Sequence, residues 1–252
     1  MARFVLWKRH DTETPFLEEH FRARQCPPRI ASARGAHPQV RTHDVMLHDE
    51  VLTPEAKAIF FKLAAFKRDF YFAGGTALAL QVGHRVSMDF DLFSPDPIKK
   101  TLLKKVEELY DAPLELLVNN SRELTLLAGR VKHTFLHYPF PLVLPLEKAD
   151  PLDLLSAREI LATKAYTIGR RGSFKDYIDL YVGLSERVAS LSETMALARE
   201  KYGEAFNDRL FLEQLLYLDD VAEEAVVMLE RPIPKKDEIA EFFMKETAAL
   251  RL

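Results

Sequence analysis

GGTALALQVGHRVSMDFDLF, residues 74–93, sets two glycines, a threonine, an arginine and two alternating aspartates in one run. Its second half, VSMDFDLF (86–93), alternates at every position. Period-2 alternation marks a strand with one buried face, which puts Val86, Met88, Phe90 and Leu92 on one side and Ser87, Asp89, Asp91 and Phe93 on the other. Both carboxylates then point the same way. Upstream, DFYFA (69–73) reads as a short aromatic strand, Gly74 and Gly75 break it, and Thr76 is placed to cap a brief helix, ALALQVG. Aspartate is depleted in strands. Two of them one residue apart lie about 6.6–7 Å from each other along the backbone, close enough to converge on one or two divalent cations. The amides of the glycine turn, at a helix start, can hold a phosphate beside them. The plainer alternatives are an exposed strand face for the aspartates and ordinary turn chemistry for the glycines. Arg85 and Ser87 are candidates for phosphate contact, whereas His84 reads more simply as a solvent-exposed turn residue.

Outward from this run, Thr53 and Pro54 are the N-cap and first residue of a helix carrying Ile59, Leu63 and Phe66. Past Pro95 and Pro97 the pattern gives an amphipathic helix over about residues 97–111. Strand-like runs follow near 114–118, 123–128 and 131–137, with turns at Asn119-Asn120 and at Gly129. From Asp150 the pattern is helical to the end: Asp150 is read as a cap, Pro151 as the helix start, and further helices are expected near 175–187, 191–202, 208–227 and 235–250.

The 252 residues are 48% hydrophobic and 29% charged, with a formal net charge of −3. That is the composition of a globular chain and argues against a strongly basic nucleic-acid clamp. Cys26, the single cysteine, allows no internal disulfide and no thiolate zinc site, which fits a reducing compartment. No run approaches the roughly 20 apolar residues that span a bilayer, and the start is too short in apolar residues for a signal peptide, so the reading is cytoplasmic. Residues 1–50 hold five of the eight histidines and four prolines with no sustained periodicity. They read as a poorly structured extension, ending near Met46, just before the first clean helical pattern.

A second constellation lies in DPLDLLSAREILATKAYTIGRRGSFKDYIDLY (150–181). Leu154, Ala157, Leu161, Lys164 and Ile168 recur at helical spacing, which sets Lys164 inside an apolar stripe. Its ammonium either snorkels past Leu161 and Ile168 or reaches an anion held against the sheet. Arg170 and Arg171 flank a glycine loop. Ser173 and Asp176 fit a capping box, and Asp179 follows on the same helix face, so the two acids either act together or are simply solvated.

Taken together, GGTALAL, R-x-S-x-D-x-D-L-F, LLSAREILATKAY and R-x-x-x-K-D-Y-I-D-L-Y resemble the AbiEii/AbiGii nucleotidyltransferase toxins, within the DNA polymerase β-like superfamily, from about residue 46 to the C-terminus. The resemblance implies an α+β fold: a minimal nucleotidyltransferase sheet with helices at 51–148, and a helical domain at 149–252 that completes the active site. It also implies transfer of an NMP from an NTP to an acceptor hydroxyl, on an RNA 3′ end (tRNA first) or on a protein, with Mg2+ (or Mn2+) as cofactor and a cognate antitoxin as partner. Carried over to this chain, Gly74, Gly75 and Thr76 are the nucleotide-binding turn, joined by Arg85 and Ser87. Asp89 and Asp91 are the metal ligands, Lys164 contacts the triphosphate, Asp176 is the further catalytic acid, and Asp179 and Arg171 are accessory. One departure is visible: the strand VKHTFLHY offers His133 and Thr134 where related folds bring a third carboxylate, leaving Asp176, Glu115 or Glu123 to supply it. The alternative is a degenerate module of the same fold that binds nucleotide or protein without catalysis. A D-x-D glycosyltransferase shares the metal logic but leaves the glycine turn and the lysine helix unexplained.

Overall fold

The computed structural model describes residues 47–110 and 113–250. The expected extension over residues 1–50 lies, as far as residue 46, outside the described residues. Helix α1 (Pro54–Phe60) opens as expected, with Thr53 Oγ1 accepting from the Ala56 N–H. It runs into a 3-10 turn over Phe61–Phe66. Strand β1 (Tyr71–Ala73) leads without a break into α2 (Gly74–Val82). Then follow β2 (Phe90–Ser94), α3 (Leu102–Leu109), and a meander of β3 (Leu114–Asn119), β4 (Glu123–Ala128) and β5 (Val131–His137). The remainder is helical: α4 (Ala157–Arg171), α5 (Phe174–Ser185), α6 (Leu191–Tyr202), α7 (Asp208–Leu216) and α8 (Lys236–Ala248).

The five strands form one mixed sheet in the order β1-β2-β5-β4-β3, with β2 and β5 parallel and the other neighbours antiparallel. Strand alternation sorts the side chains into two faces. Phe90, His133 and Leu126 form one cross-strand row, and Leu92, Phe135 and Leu124 the next; all six are fully buried. Phe60, Phe66 and Phe72 pack their rings on Phe90 and Phe135 at centroid distances of 4.8–5.8 Å, so apolar area removed from water is the main force holding this face closed. The opposite face carries Asp91, Thr134 and Thr125 in register, and it is this face that holds the site.

In the helical half α4 is central, packed on α5, α6, α7 and, across to the sheet, α2. Tyr166 of α4 stacks on Tyr202 of α6 at 3.9 Å. Beneath them Glu159 and Lys201 form a fully buried pair at 2.6 Å, and the Glu159 carboxylate also accepts from the Val143 and Leu144 amides. Every polar atom of that pair which could cost stability by burial thus has a partner. Gln81 ties the halves together, donating to Leu155 O and accepting from the Ala157 N–H at the start of α4.

Three expectations need correction. Thr76 caps nothing: α2 begins two residues earlier, because Gly74 adopts a positive φ of 71° and lets the chain turn straight from strand to helix. Asp150 and Pro151 do not start α4. That helix is capped by Ser156, whose Oγ accepts from the Glu159 N–H, and the residues before it run extended beside β1, Phe72 exchanging backbone hydrogen bonds with Asp153 and Leu155. The helix expected over 208–227 ends at Leu216, since the chain beyond returns to pair with the site segment: Val86 N–H donates to Val227 O, and Leu229 N–H to His84 O. Long-range backbone pairing there overrides a helical side-chain pattern.

Candidate active site

The site is assembled around the segment that precedes β2. The strand expected over 86–93 begins only at Phe90: residues 84–89 are not yet in the sheet and are pinned by isolated bridges, Leu52 to Ser87 and Arg85 to Met228, with Val86 and His84 paired to Val227 and Leu229. A hydroxyl chain fixes the next step. Thr76 Oγ1 lies 2.5 Å from Asp89 O and 2.6 Å from Ser87 Oγ. A hydroxyl has one proton, so with Thr76 donating to the carbonyl, Ser87 must donate to Thr76. These two side chains, read from sequence as nucleotide contacts, hold the backbone of Asp89 in place.

Asp91 lies beside this segment under the start of α2. The carboxylate reaches Gly74 so closely that a Cβ there would fall 2.1 Å from Asp91 Oδ2. Gly75 is equally constrained, with a Cβ meeting Arg85 Nη2 at 2.4 Å and Asp179 Oδ2 at 3.2 Å. The glycine pair is therefore needed for close approach by three charged groups, Asp91, Arg85 and Asp179. Burial pushes the Asp91 carboxyl above its ordinary range and the neighbouring Asp89 adds to this, while Lys132, Lys164 and a hydrogen bond from Thr134 oppose it. A buried carboxylate whose proton affinity is raised, in part by a second carboxylate beside it, is a site for added positive charge.

Lys132, a residue to which sequence reading assigned nothing, supplies part of that charge. It lies one residue before the His133 that pairs with Phe90, and its Nζ sits 3.9 Å from Asp89 Oδ2. Its signal in the sequence was its place in the alternation of β5, two residues before Thr134 and on the same face.

The helical half contributes a buried ionic network. Asp179, fully buried on α5, accepts at Oδ1 from Arg85 Nε at 2.7 Å and His84 Nε2 at 2.8 Å, and at Oδ2 from Arg85 Nη2 at 3.0 Å, with Lys164 Nζ 2.7 Å from the same Oδ2. Lys164 also donates to Asp176 Oδ1 at 2.7 Å. Asp176 Oδ2 accepts from the N–H and Oγ–H of Ser173, so the expected capping box is present. Burial alone would strip the Lys164 proton, but Asp176 and Asp179 override it and hold the ammonium charged, its pKa raised. Burial likewise opposes charge on the acids. Lys164 nonetheless keeps Asp176 below the ordinary carboxylate range, and Lys164, Arg85 and His84 keep Asp179 well below it. The choice left open for Lys164 is thus decided toward an anion, the anions being the protein's own. His84 is not an exposed turn residue but is 2% exposed, its Nε2 donating to Asp179. Its place in the chain gave no hint, because the partner lies 95 residues away.

Of the residues considered in connection with a third carboxylate, His133, Glu123 and Glu115 stand away from the pair. His133 lies on the apolar face; its Nδ1 donates to Val131 O, so Nε2 accepts from Tyr110 OH at 2.6 Å, and burial drops its pKa to about 4. Glu123 accepts from Thr125 on β4, two strands from β2, and Glu115 lies on edge strand β3. At about 4.8 Å per strand these stand roughly 10 and 14 Å from the aspartates. Among the described residues no group of three His, Cys, Asp or Glu is arranged to hold a metal ion. Arg171 lines a cavity of about 470 Å³ with Ser173, Tyr177, Tyr217, Asp220 and Glu224, and none of the site carboxylates lines it. No helix among the described residues is long and apolar enough to cross a membrane.

Residues 58–151, which include α2, both aspartates and β5, match the family model described as "Nucleotidyl transferase AbiEii toxin, Type IV TA system". A relative from Aquifex aeolicus (strain VF5), the uncharacterized protein aq_aa25, is 32% identical over 183 residues, covering 71% of this chain and 86% of its own. Among solved structures, JHP933 from Helicobacter pylori aligns at 18% identity with a TM-score of 0.39 over 66% of this chain and 74% of its own. The Megavirus polyadenylate synthase aligns at 14% identity with a TM-score of 0.39 over 52% of this chain and 31% of its own. The chain belongs to the AbiEii family of nucleotidyltransferase toxins.

Proposed function

We propose that the protein transfers a nucleoside monophosphate from an NTP to an acceptor hydroxyl, which bonds to the α-phosphorus as pyrophosphate leaves and its proton passes to solvent, at a divalent-cation site formed by Asp89 and Asp91. The observation that carries the reading is the carboxylate pair itself: Asp91 wedged beneath the first residue of α2, Asp89 fixed by the Thr76–Ser87 hydroxyls, and both under the influence of Lys132. Two carboxylates suit Mg2+ or Mn2+, since Mg2+ commonly takes one or two protein carboxylates and completes its shell with water and substrate phosphate. When bound, such a cation neutralises charge on the phosphates and lowers the barrier to attack at phosphorus.

The chain's own groups do the rest by position and charge. An ammonium has three N–H donors. Lys164 directs two of them at Asp176 and Asp179, leaving the third for a phosphate oxygen. Asp176, held ionised by Lys164, is set to orient the acceptor hydroxyl. Asp179 and Arg85 brace the start of α2 from behind, through Gly75. In this division of labour residues 51–148 carry the metal ligands and 149–252 the lysine and its acids. An RNA 3′ end, tRNA first, is the acceptor to test, a protein side chain second. A cognate antitoxin is the expected partner, in keeping with the toxin–antitoxin description of the family. NTPs and RNA meet in the cytoplasm, which this reading takes as the working compartment.

The test is incubation of purified protein with α-labelled NTPs, Mg2+ and total cellular RNA or protein, with Asp89→Ala as control. Label appearing in a macromolecule with wild type and not with the variant is the expected result; no incorporation with any of the four NTPs would defeat the proposal.

A second reading, a degenerate nucleotide-binding module, is favoured by one observation: no third acid completes the pair among the described residues. If expression inhibits growth and Asp89→Ala, still folded, inhibits it equally, the second reading prevails.

A further inference from the structure

Lys132 occupies an unusual place. In the parallel pairing of β2 with β5, Phe90 stands opposite His133 and Asp91 opposite Thr134; Lys132, two residues before Thr134, shares the face of Thr134 and Asp91, and Asp89 immediately precedes β2. Its Nζ is 3.9 Å from Asp89 Oδ2, and among the positive charges acting on Asp91 it is the strongest, ahead of Lys164. Unlike Lys164, which is wedged between two acids at 10% side-chain exposure, Lys132 is 42% exposed and free to swing on its four-carbon stem. A neighbouring strand thus presents a monovalent cation to the carboxylate pair where a third carboxylate would otherwise strengthen divalent binding.

We propose that Lys132 is an internal competitor for the cation site: its ammonium stands in for the metal between substrates, and the incoming triphosphate draws it away. The inference rests on Asp89 and Asp91 being the metal ligands. Its consequence is coupling. The cation alone meets an opposing charge, whereas the cation with nucleotide meets a site from which the lysine has been drawn to phosphate, so metal and nucleotide favour each other's binding. An exposed charge at this distance is partly screened, and its removal changes divalent affinity by about tenfold.

Mn2+ alone, followed by electron paramagnetic resonance, is titrated into wild type, Lys132→Met, Lys132→Arg and Asp89→Ala, each checked for fold by circular dichroism. Methionine keeps most of the aliphatic stem, so the fold is retained. Lys132→Met is expected to bind Mn2+ about tenfold more tightly than wild type, by the loss of one partly screened charge, and Lys132→Arg to match wild type. Asp89→Ala is expected to lose binding. A Lys132→Met affinity equal to or weaker than that of wild type, with Asp89→Ala still abolishing binding, overturns the proposal and leaves the metal site standing. If Asp89→Ala binds as wild type does, or no variant binds, the metal reading of the aspartates falls first and the proposal with it.

Discussion

Replacing Asp179 by alanine removes the partner of three groups at once. The carboxylate is fully buried and receives Arg85 through two nitrogens, His84 through Nε2, and Lys164 at 2.7 Å. Lys164 would retain Asp176, but Arg85, 4% exposed, would keep only a carbonyl contact to Val86 at 3.3 Å. Removing one member of a buried ion pair costs about 3–5 kcal/mol, mostly for the charge left behind. At about 2–4 °C per kcal/mol for a domain of this size, the melting temperature should drop by about 6–20 °C. Asp179→Asn, which keeps the shape and one acceptor oxygen, should lose less. The same network gives a pH signature. Asp179 has a folded pKa well below its ordinary 3.8, so its contribution is fully present above about 3.8 and is lost as pH falls through the folded value. Wild type should therefore lose stability on acidification below pH 4 in a way that Asp179→Asn does not. Urea denaturation across pH 2–6 measures both effects. An Asp179→Ala protein within about 1 kcal/mol of wild type at neutral pH would refute the view that this carboxylate is the keystone of the contact between α2 and α5.

Gly74→Ala forces a left-handed residue and a Cβ onto the Asp91 carboxylate; a loss of about 2–4 kcal/mol by urea titration is expected, with Mn2+ binding impaired even where the fold survives. His133 is held neutral with a pKa of about 4, so the unfolded chain binds its proton first. Between pH 6.5 and about 4 it should lower stability by roughly 1.4 kcal/mol per pH unit, a slope that His133→Gln should abolish in pH-dependent melts. Ser156→Ala removes the cap of α4 and should cost about 1 kcal/mol by thermal melting, with nucleotide transfer unchanged at temperatures where the protein stays folded.

Local chemistry made the fold largely legible. The β3–β4–β5 meander appears where its turns predicted, because Asn119-Asn120 and Gly129 are strong stops between apolar runs. The Ser173/Asp176 box was likewise written within four residues. What escaped the sequence was long-range. The Thr76 hydroxyl is bonded to residues 11 and 13 positions away, and Asp179 finds Arg85 across 94 residues. The expected helix through Val227 was lost to backbone pairing with Val86. Of the candidate site, Asp89 and Asp91 stood out by interrupting an alternating apolar pattern, and Lys164 by interrupting an apolar stripe. Lys132 broke no local rule, since a lysine at an alternating polar position of a strand is ordinary until the opposing strand is known.

The most direct test of the central claim, nucleotidyl transfer at the Asp89–Asp91 pair, is a comparison of labels. NTP carrying label in the α-phosphate, or separately in the γ-phosphate, is incubated with Mg2+, acceptor RNA and either wild type or Asp89→Ala. The account predicts that α-label enters the acceptor with wild type alone and that γ-label never does. Incorporation of γ-label, or equal α-label transfer by the variant, would contradict it.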